Sequence, residues 1–298
     1  MVSIKRAMKS NSRLNALTGL KIKQFRMAAT NFGVYLRKSF EEQRGVSLDR
    51  GRDFVLKSSE EKLFFILFYM KCYPTFEVGG LFFEVHKSSC CRWVKWFLPA
   101  VQEILQKELV LPKRKISDPA EFVRLFPGVQ EVFVDGTERP IQRPKDHERQ
   151  KANFSGKKKR HAKKNIVVND EKKRILILSE TREGKTHDFK IYKDAGIGDG
   201  IPGDIPCYVD TGFQGIEAQS PQLMIVMPKK KPPGGELSVE EKASNKETSG
   251  RRILSEHAIG GAKRYGIVSD VYRNHGRDLD DSVMLVACGL WDYYLKTA

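Results

Sequence analysis

The pattern of apolar positions changes once along the chain, near residue 128. Before that point apolar residues recur three and four positions apart, as on the buried face of a helix. After it they form short runs rich in Val and Ile, which are typical of strands. Residues 1–57 predict one or two short helices, ended by a loop over residues 44–53 that carries two glycines and opposed charges. We therefore expect an all-α region followed by a region built around a sheet.

Three helices are predicted from residue 58 onward. Ser58 and Glu61 form a capping box ahead of the first, and Thr75 is placed to cap the second. The third, over residues 87–98, has one buried stripe: Cys90, Trp93, Val94, Phe97 and Leu98. Its opposite side carries polar and basic side chains: Ser88, Ser89, Arg92 and Lys95. Two short helices across a tight turn with such an exposed side fit a helix-turn-helix that reads DNA, and they equally fit a three-helix bundle with a solvated face.

The second region predicts an α/β fold with a mixed sheet flanked by helices. Its strands are expected at residues 131–135, 165–169, 174–180, 207–210 and 223–227, of which the second and third form a hairpin. Its helices are expected at residues 187–195, at about 251–265, and in an amphipathic closing stretch that packs on the sheet. Residues 229–250 are charged and contain Pro and Gly, which predicts an exposed excursion.

Composition favours a polyanionic partner. The 298 residues include 53 Lys and Arg against 37 Asp and Glu, a formal net charge of +16. A surplus of this size is typical of proteins that bind nucleic acid, although a basic soluble enzyme can have the same composition. The five cysteines are irregularly spaced, which indicates a reducing compartment such as the cytoplasm. We see no secretory signal, and the most apolar early run, residues 63–70, is too short to cross a bilayer, so no membrane partner is expected.

Two of the apolar runs end in an aspartate that is followed by Thr or Gly. They are FVDGTE, with Asp135, and YVDTGFQG, with Asp210. Acids beyond the carboxyl ends of neighbouring strands lie at the edge of the sheet where α/β proteins bind their ligands. The repulsion between two such acids is relieved when cations bind. Carboxylate oxygens with open positions suit Mg²⁺ or Mn²⁺. This pattern therefore predicts a divalent-metal site.

A third acid, Glu256, lies on a predicted helix between two cations. Arg252 precedes it by four residues and Lys263 follows it by seven, so all three fall on nearly one stripe, where Gly260 leaves space. A carboxylate in this setting fits a metal ligand beside a phosphate-bearing strand. The same spacing also fits an ordinary surface ion pair of the helix.

In the order of these motifs the sequence resembles the DDE transposases of bacterial insertion sequences, in the branch related to Harbinger-type elements. The matching stretches are DGTERPIQRP (135–144), SGKKKRHAKK (155–164), EGKTHDF (183–189), DTGFQG (210–215), the long segment 229–267 and ACGLWDY (287–293). Residues 60–94 resemble the helix-turn-helix module that accompanies them. Arg252 and Lys263 match the family's Arg and Lys on either side of its Glu, whereas Ser249 replaces a Tyr found in some branches. His187, in the third stretch, is as readily structural as catalytic.

The resemblance implies an RNase H-like fold and a two-metal mechanism. Asp135, Asp210 and Glu256 would be both the catalytic residues and the ligands of two Mg²⁺ or Mn²⁺ ions, with Asp135 bridging the two. One metal would activate the nucleophile, which is water for cleavage and the freed 3′-OH for strand transfer. The other would stabilise the leaving 3′ oxygen.

Double-stranded DNA is the partner that the resemblance implies, both as terminal inverted repeats and as target. Phosphate contacts are expected from Arg252, Lys263 and a basic run, which also fits a solvated turn between strands: Lys157, Lys158, Lys159 and Arg160. Pairing of two ends implies a homodimer or larger assembly in the synaptic complex, and the protein would associate with the nucleoid.

The expected division of the chain has three parts: an N-terminal helical segment (1–57), a helix-turn-helix DNA-binding domain (58–128) and an RNase H-like catalytic domain (129–298) with the charged excursion at 229–250. Two other functions fit part of the pattern. Another RNase H-like nuclease would share the acids but needs no helix-turn-helix, and a transposase-derived DNA-binding protein would no longer cut. The presence of all three acids favours a protein that cuts.

Overall fold

The fold is given by a computed structural model, which describes residues 4–48, 54–232, 234–276 and 278–297. The helices are α1 (Ile4–Ala7), α2 (Asn11–Thr18), α3 (Ile22–Arg44), α4 (Ser59–Cys72), α5 (Phe76–Phe83), α6 (Lys87–Lys107), α7 (Pro119–Leu125), α8 (His147–Asn153), α9 (Asp188–Asp194), α10 (Ile216–Gln219), α11 (Val239–Lys263), α12 (Gly266–Ser269) and α13 (Leu279–Lys296). The strands are β1 (Val132–Pro140), β2 (Phe154–Ser155), β3 (Arg160–Asp170), β4 (Ile175–Leu178), β5 (Arg182–Glu183), β6 (Pro206–Val209) and β7 (Met224–Val226). Short 3-10 helices cover Ile197–Gly200 and Thr211–Phe213. Part of the predicted loop over 44–53, residues 49–53, lies outside the described residues.

One of two compact units is all-α and is formed by the described residues of Met1–Leu111, Ala262–Asp270 and Gly276–Ala298. The prediction of one or two short helices at its start is wrong, because α3 alone runs for 23 residues. An apolar stripe continues along α3 at helical spacing and is buried throughout: Phe25, Ala28, Ala29, Phe32, Leu36 and Phe40. Gly45 ends the helix in the left-handed conformation (φ 65°), which glycine adopts without steric penalty.

Helices α4, α5 and α6 are the three helices that the sequence predicts from residue 58 onward. The Ser58 hydroxyl accepts a hydrogen bond from the Glu61 N–H at 3.0 Å, and the Glu61 carboxylate accepts one from the Ser58 N–H at 3.1 Å. Thr75 caps α5 by accepting a 3.2 Å bond from the Val78 N–H. The predicted stripe of α6 is buried: Cys90, Trp93, Val94, Phe97 and Leu98. Both capping predictions and the stripe prediction are confirmed.

Helix α6 continues past residue 98, where it was expected to end, to Lys107. Pro99 lies inside it and cannot donate a backbone hydrogen bond, which ordinarily weakens a helix. The buried stripe nevertheless goes on beyond the proline: Val101, Ile104 and Leu105. Burial of these side chains stabilises the second half of the helix.

The closing helix α13 belongs to the all-α unit, where it packs against α6 and α12. The prediction that it packs on the sheet is therefore wrong. Residues 283–290 are all buried, so the helix is apolar on most sides and its pattern does not specify a partner. Contact with α6 is close, since a Cβ added to Gly289 would approach a Leu105 methyl carbon to 3.0 Å. The compact units do not follow the limits expected at residues 57 and 128, and the assignment of binding and catalysis to those domains stays a prediction.

The second unit, formed by the described residues of Pro112–Gly261 and Val271–His275, is built on a mixed sheet flanked by helices. Strand β1 is central: it is antiparallel to β3 on one side and parallel to β6 on the other, and β6 is parallel to β7. Strand β3 pairs along its opposite edge with β2, β5 and β4, and β3 with β4 is the predicted hairpin. The core includes apolar residues of β1, β3 and α9: Val132, Val134, Ile166, Val168, Ile191 and Tyr192. The predicted α/β fold class is confirmed.

Helix α11 begins at Val239 and not near residue 251, so the second part of the predicted excursion over 229–250 is helical. Ser238 and Glu241 form a capping box: the Glu241 N–H donates to the Ser238 hydroxyl at 3.1 Å, and the Glu241 carboxylate accepts from the Ser238 N–H at 2.9 Å. The charged composition of the segment concealed this helix start. No helix within the described ranges is long and apolar enough to cross a membrane.

Candidate active site

Asp135 and Asp210 lie level with each other on neighbouring parallel strands. In the register of β1 and β6, Val134 pairs with Val209, and each aspartate is the next residue along. Strand β6 ends at Val209, one residue before its predicted end, but β1 continues to Pro140. The prediction that β1 ends at its aspartate is wrong, because the polar residues after Asp135 keep their pairing with β3. The two acids therefore meet where the parallel pairing of β1 with β6 stops.

Backbone N–H groups orient one oxygen of each carboxylate. Oδ1 of Asp135 accepts a hydrogen bond from the Gly136 N–H at 2.8 Å, and Oδ1 of Asp210 accepts one from the Thr211 N–H at 2.7 Å. Asp210 is also the N-cap of the 3-10 helix that follows it. Both acids are half-buried. They are thus held in fixed orientations while remaining accessible to a ligand.

Arg252, on α11, brings positive charge to this pair of acids. Its Nη1 lies 3.3 Å from Oδ1 of Asp210. Burial raises the pKa of Asp135, and the Arg252 guanidinium opposes that effect. The carboxylates of Asp210 and Asp188 raise the same pKa. Arg252, which the sequence predicts to contact DNA, therefore lies against an acid, and the site concentrates negative charge that a bound cation would offset.

A second arginine anchors α11 over the sheet. Arg251 forms an ion pair with Glu131, and its Cζ lies 6.0 Å from the centroid of the Tyr208 ring. That ring stacks on Phe133 with 4.9 Å between centroids. Alternate residues of a strand share a face, so Phe133 and Asp135 point to the same side of β1 and α11 is held on that side. Sequence reasoning missed this anchor, whose signal is the pair of adjacent arginines.

Glu256 lies one helical turn beyond Arg252, on the same side of α11, and its side chain is exposed. Across the part of the chain that the structure describes, no three His, Cys, Asp or Glu side chains lie close enough together to hold a metal ion. The structure brings together Asp135, Asp210 and Arg252 and does not close Glu256 onto them. Its role as a third ligand stays a prediction. The expected space at Gly260 is present, because a Cβ added there would meet nothing within 4 Å.

Asp188 is a further acid near Asp135 that sequence reasoning missed. Its carboxylate lies 3.1 Å from Nζ of Lys164, which also lies 3.5 Å from Oε1 of Glu138. A Cβ added to Gly136 would meet the Asp188 carboxylate at 2.8 Å, so a larger residue there would force the Asp188 side chain to move. Its signal in the sequence is the THD stretch, where the aspartate directly follows His187. That histidine precedes α9 and makes no side-chain capping bond.

The predicted DNA contacts on α6 differ in exposure. Arg92 and Lys95 are exposed, whereas Ser88 and Ser89 are half-buried. The Arg92 guanidinium donates a 3.2 Å hydrogen bond to the Ser89 hydroxyl, which orders the arginine on this surface. The other predicted contacts lie elsewhere. An exposed turn and the first residue of β3 carry four of them: Lys157, Lys158, Lys159 and Arg160. The last, Lys263, is half-buried at the end of α11. Contact of all these residues with DNA stays a prediction.

The donor atoms at the acid pair fit a hard divalent cation. Asp135 and Asp210 offer carboxylate oxygens, which Mg²⁺ and Mn²⁺ prefer. Adjacent positions on two strands bring the oxygens to one edge of the sheet, and a backbone N–H orients each carboxylate. Repulsion between the two charges favours binding of a cation there.

The mixed sheet in this strand order, with two acids level on its parallel strands, agrees with the RNase H-like fold that the motifs predict. Residues 134–292 match the family model described as DDE superfamily endonuclease, and residues 55–107 match that of the helix-turn-helix of DDE superfamily endonuclease. The chain is 32% identical over 238 residues to the probable transposase for insertion sequence element IS702 of Microchaete diplosiphon. The matched region covers 79% of this chain and 80% of that relative. No solved structure matches the chain. The chain belongs to the DDE superfamily endonucleases and carries their helix-turn-helix module, which confirms the family predicted from the motifs.

Proposed function

We propose that this chain is a DNA transposase, which binds the ends of an element and catalyses metal-dependent cleavage and transfer of DNA strands. The observation that carries the proposal is the level placement of Asp135 and Asp210 on parallel strands, in a member of the DDE endonucleases. The name of the relative, a probable transposase for an insertion sequence element, supports action on element ends.

The family implies the use of divalent metal ions. We infer two Mg²⁺ or Mn²⁺ ions held by Asp135, Asp210 and Glu256, whose chemistry is to activate the attacking oxygen and to stabilise the leaving 3′ oxygen. Glu256 shares a side of α11 with Arg252, which already contacts Asp210, and this supports its place in the ligand set.

The chain's own residues prepare the site for the reaction. The N–H groups of Gly136 and Thr211 orient the carboxylates in advance, so little reorganisation is left for the reacting complex. Arg252 places positive charge beside Asp210, which offsets repulsion between the acids and an incoming phosphate. The nucleophile is water for end cleavage and then the freed 3′-OH for strand transfer, so the protein positions groups without forming a covalent intermediate.

DNA binding is proposed for side chains on both units. On α6 the reading surface is Ser88, Ser89, Arg92 and Lys95, within a DNA-binding domain over 58–128. In the catalytic domain over 129–298, phosphate contacts come from Lys157, Lys158, Lys159, Arg160, Arg252 and Lys263. The partners are double-stranded terminal inverted repeats and target DNA in the nucleoid. Two or more copies of the chain hold the two ends of the element together.

The test is a cleavage assay on labelled duplex DNA that carries the inverted repeats flanking the coding region. We expect strand cutting with Mg²⁺ or Mn²⁺ and none with EDTA, because the acid pair binds the phosphate productively only when cations neutralise it. Robust cutting in EDTA contradicts the metal-dependent mechanism. Specific binding without cutting under either metal indicates instead a transposase-derived protein that only binds DNA.

A further inference from the structure

Half of the chain's net positive charge lies in one short segment of the sheet unit. Residues 143–164 hold ten Lys and Arg against two Asp and Glu, a surplus of +8 out of +16. Eight of the ten cations are exposed, whereas Lys163 and Lys164 are ion-paired with Glu183, Glu138 and Asp188 of other elements. The segment forms α8, β2, the exposed turn over 156–159 and the start of β3. Such a concentration attracts a polyanion. It also disfavours contact of this surface with the same surface of a second copy, because the two would carry the same charge.

A large aromatic side chain is exposed within this basic segment. Phe154, the first residue of β2, has 41% of its surface accessible. It is paired across the strands with His161, and the two ring centroids lie 5.7 Å apart at 72°. An exposed aromatic side chain within a basic segment is the combination with which proteins stack on nucleic-acid bases.

The backbone on both sides of Phe154 is held in place. The next residue, Ser155, is buried, and its hydroxyl donates to Glu138 Oε1 at 3.0 Å and accepts from the Lys158 N–H at 3.2 Å. The preceding Asn153 is also buried, and its amide donates to the Arg149 carbonyl at 2.8 Å. Successive side chains of a strand point to opposite sides, so anchoring of Ser155 fixes Phe154 outward. The ring is therefore presented on rigid backbone.

The position of Phe154 in the sheet relates it to the acid pair. It pairs with His161, and six residues along the same strand Val167 pairs with Asp135. At the rise of a β-strand this places Phe154 about 20 Å from the catalytic strand position, measured along β3. That span is about six base pairs of duplex. DNA that reaches the acids along this direction passes the ring.

We propose that Phe154, packed against the ring of His161, is a stacking platform for an unpaired base of the DNA strand that the basic turn holds. The inference rests on the proposed DNA-cutting function and adds to it a contact with a base face. A duplex hides its base faces within the stack, so the ligand is a strand end or a base displaced from pairing, which strand cutting creates near the site.

The experiment compares two labelled DNAs in EDTA: a blunt duplex, and the same duplex with a short single-stranded 3′ extension that contains 2-aminopurine. We expect wild-type protein to prefer the extended DNA and to quench the 2-aminopurine fluorescence. Phe154→Leu keeps an apolar side chain without a ring face, so affinity for the extended DNA falls about tenfold while affinity for the blunt duplex holds. Phe154→Tyr keeps the preference. Met224→Ala, at an exposed apolar position on the opposite edge strand β7, is the matched control and binds as wild type does.

Several outcomes overturn the inference. These are a wild-type protein without preference or quenching, a Phe154→Leu protein that retains the preference, and an equal loss of affinity for both DNAs, which marks a structural role. A preference lost equally in Met224→Ala also overturns it. Cleavage by wild-type protein in Mg²⁺ is measured separately. If cutting occurs and the preference is absent, the inference fails while the proposed function stands; if the preference holds and cutting is absent under every metal, the proposed function fails.

Discussion

Replacing Asp210 with Asn separates the chemistry of the site from the stability of the fold. The side chain accepts one hydrogen bond from the Thr211 N–H at 2.7 Å and lies 3.3 Å from the Arg252 guanidinium. An amide oxygen can accept both. The Asp210 and Arg252 side chains are 37% and 21% exposed, and an ion pair with this access to solvent contributes no more than about 1 kcal/mol. Loss of repulsion with Asp135 acts in the opposite direction.

We therefore expect the free energy of unfolding of Asp210→Asn to stay within about 1 kcal/mol of wild type, a change in Tm of about 2–4 °C. Cleavage should fall by about a thousandfold or more, which corresponds to about 4 kcal/mol in the barrier, because a metal-binding carboxylate is lost where charge develops. A protein destabilised by 1 kcal/mol remains almost entirely folded, so unfolding cannot account for such a loss.

Three measurements decide the prediction: thermal unfolding, a gel shift in EDTA, and a cleavage time course in Mg²⁺. Binding in EDTA should hold or rise slightly, since one charge that repels phosphate is gone. The matched control is Glu217→Gln, a carboxylate-to-amide exchange at an exposed position on α10, and it should cut almost normally. Near wild-type cutting by Asp210→Asn refutes the assignment of the acid pair. Equal loss of activity in Asp210→Asn and Glu217→Gln would show that the loss is not specific to the acid pair.

Two further predictions concern recognition and packing. The double variant Arg92→Ala with Lys95→Ala should bind element ends more weakly. The slope of log binding constant against log salt concentration should become shallower by about two units, because two phosphate-neutralising charges are removed. The control Lys107→Ala, exposed at the far end of α6, should change neither the affinity nor the slope, and an unaltered salt titration of the double variant would exclude a DNA-reading α6. Gly136→Ala should lower the free energy of unfolding by about 1–3 kcal/mol in a thermal melt, since its Cβ would lie 2.8 Å from the Asp188 carboxylate, and an unchanged Tm contradicts that contact.

Local patterns predicted the elements whose cause is local. The capping box of Ser58 and Glu61 and the stripe of α6 follow from spacing alone, and so do the positions of β4, β6 and β7. The full lengths of β1 and β3 and the short strands β2 and β5 were not predicted. Acids following two apolar runs were enough to predict that Asp135 and Asp210 belong to one site, which the register of β1 and β6 explains.

Features that depend on distant partners were not accessible in this way. Strand β1 runs on to Pro140 because β3 pairs with its polar half, and no periodicity in the polar residues shows this. The contact of Arg252 with Asp210 joins residues 42 positions apart, and the burial of residues 283–290 on most sides of α13 left its partner unspecified. The start of α11 was a different failure, since the Ser238–Glu241 signature is local and was concealed by the charged composition around it.

The placement of α13 has a consequence for how this protein is made. The helix is encoded after the whole sheet unit, yet its buried residues complete the core that begins with α2 and α3, where the Tyr293 hydroxyl donates to the Gln24 carbonyl at 3.2 Å. A nascent chain on the ribosome therefore cannot finish its amino-terminal unit until translation has passed residue 293. A truncated product that lacks α13 would expose to water the part of α6 that α13 covers.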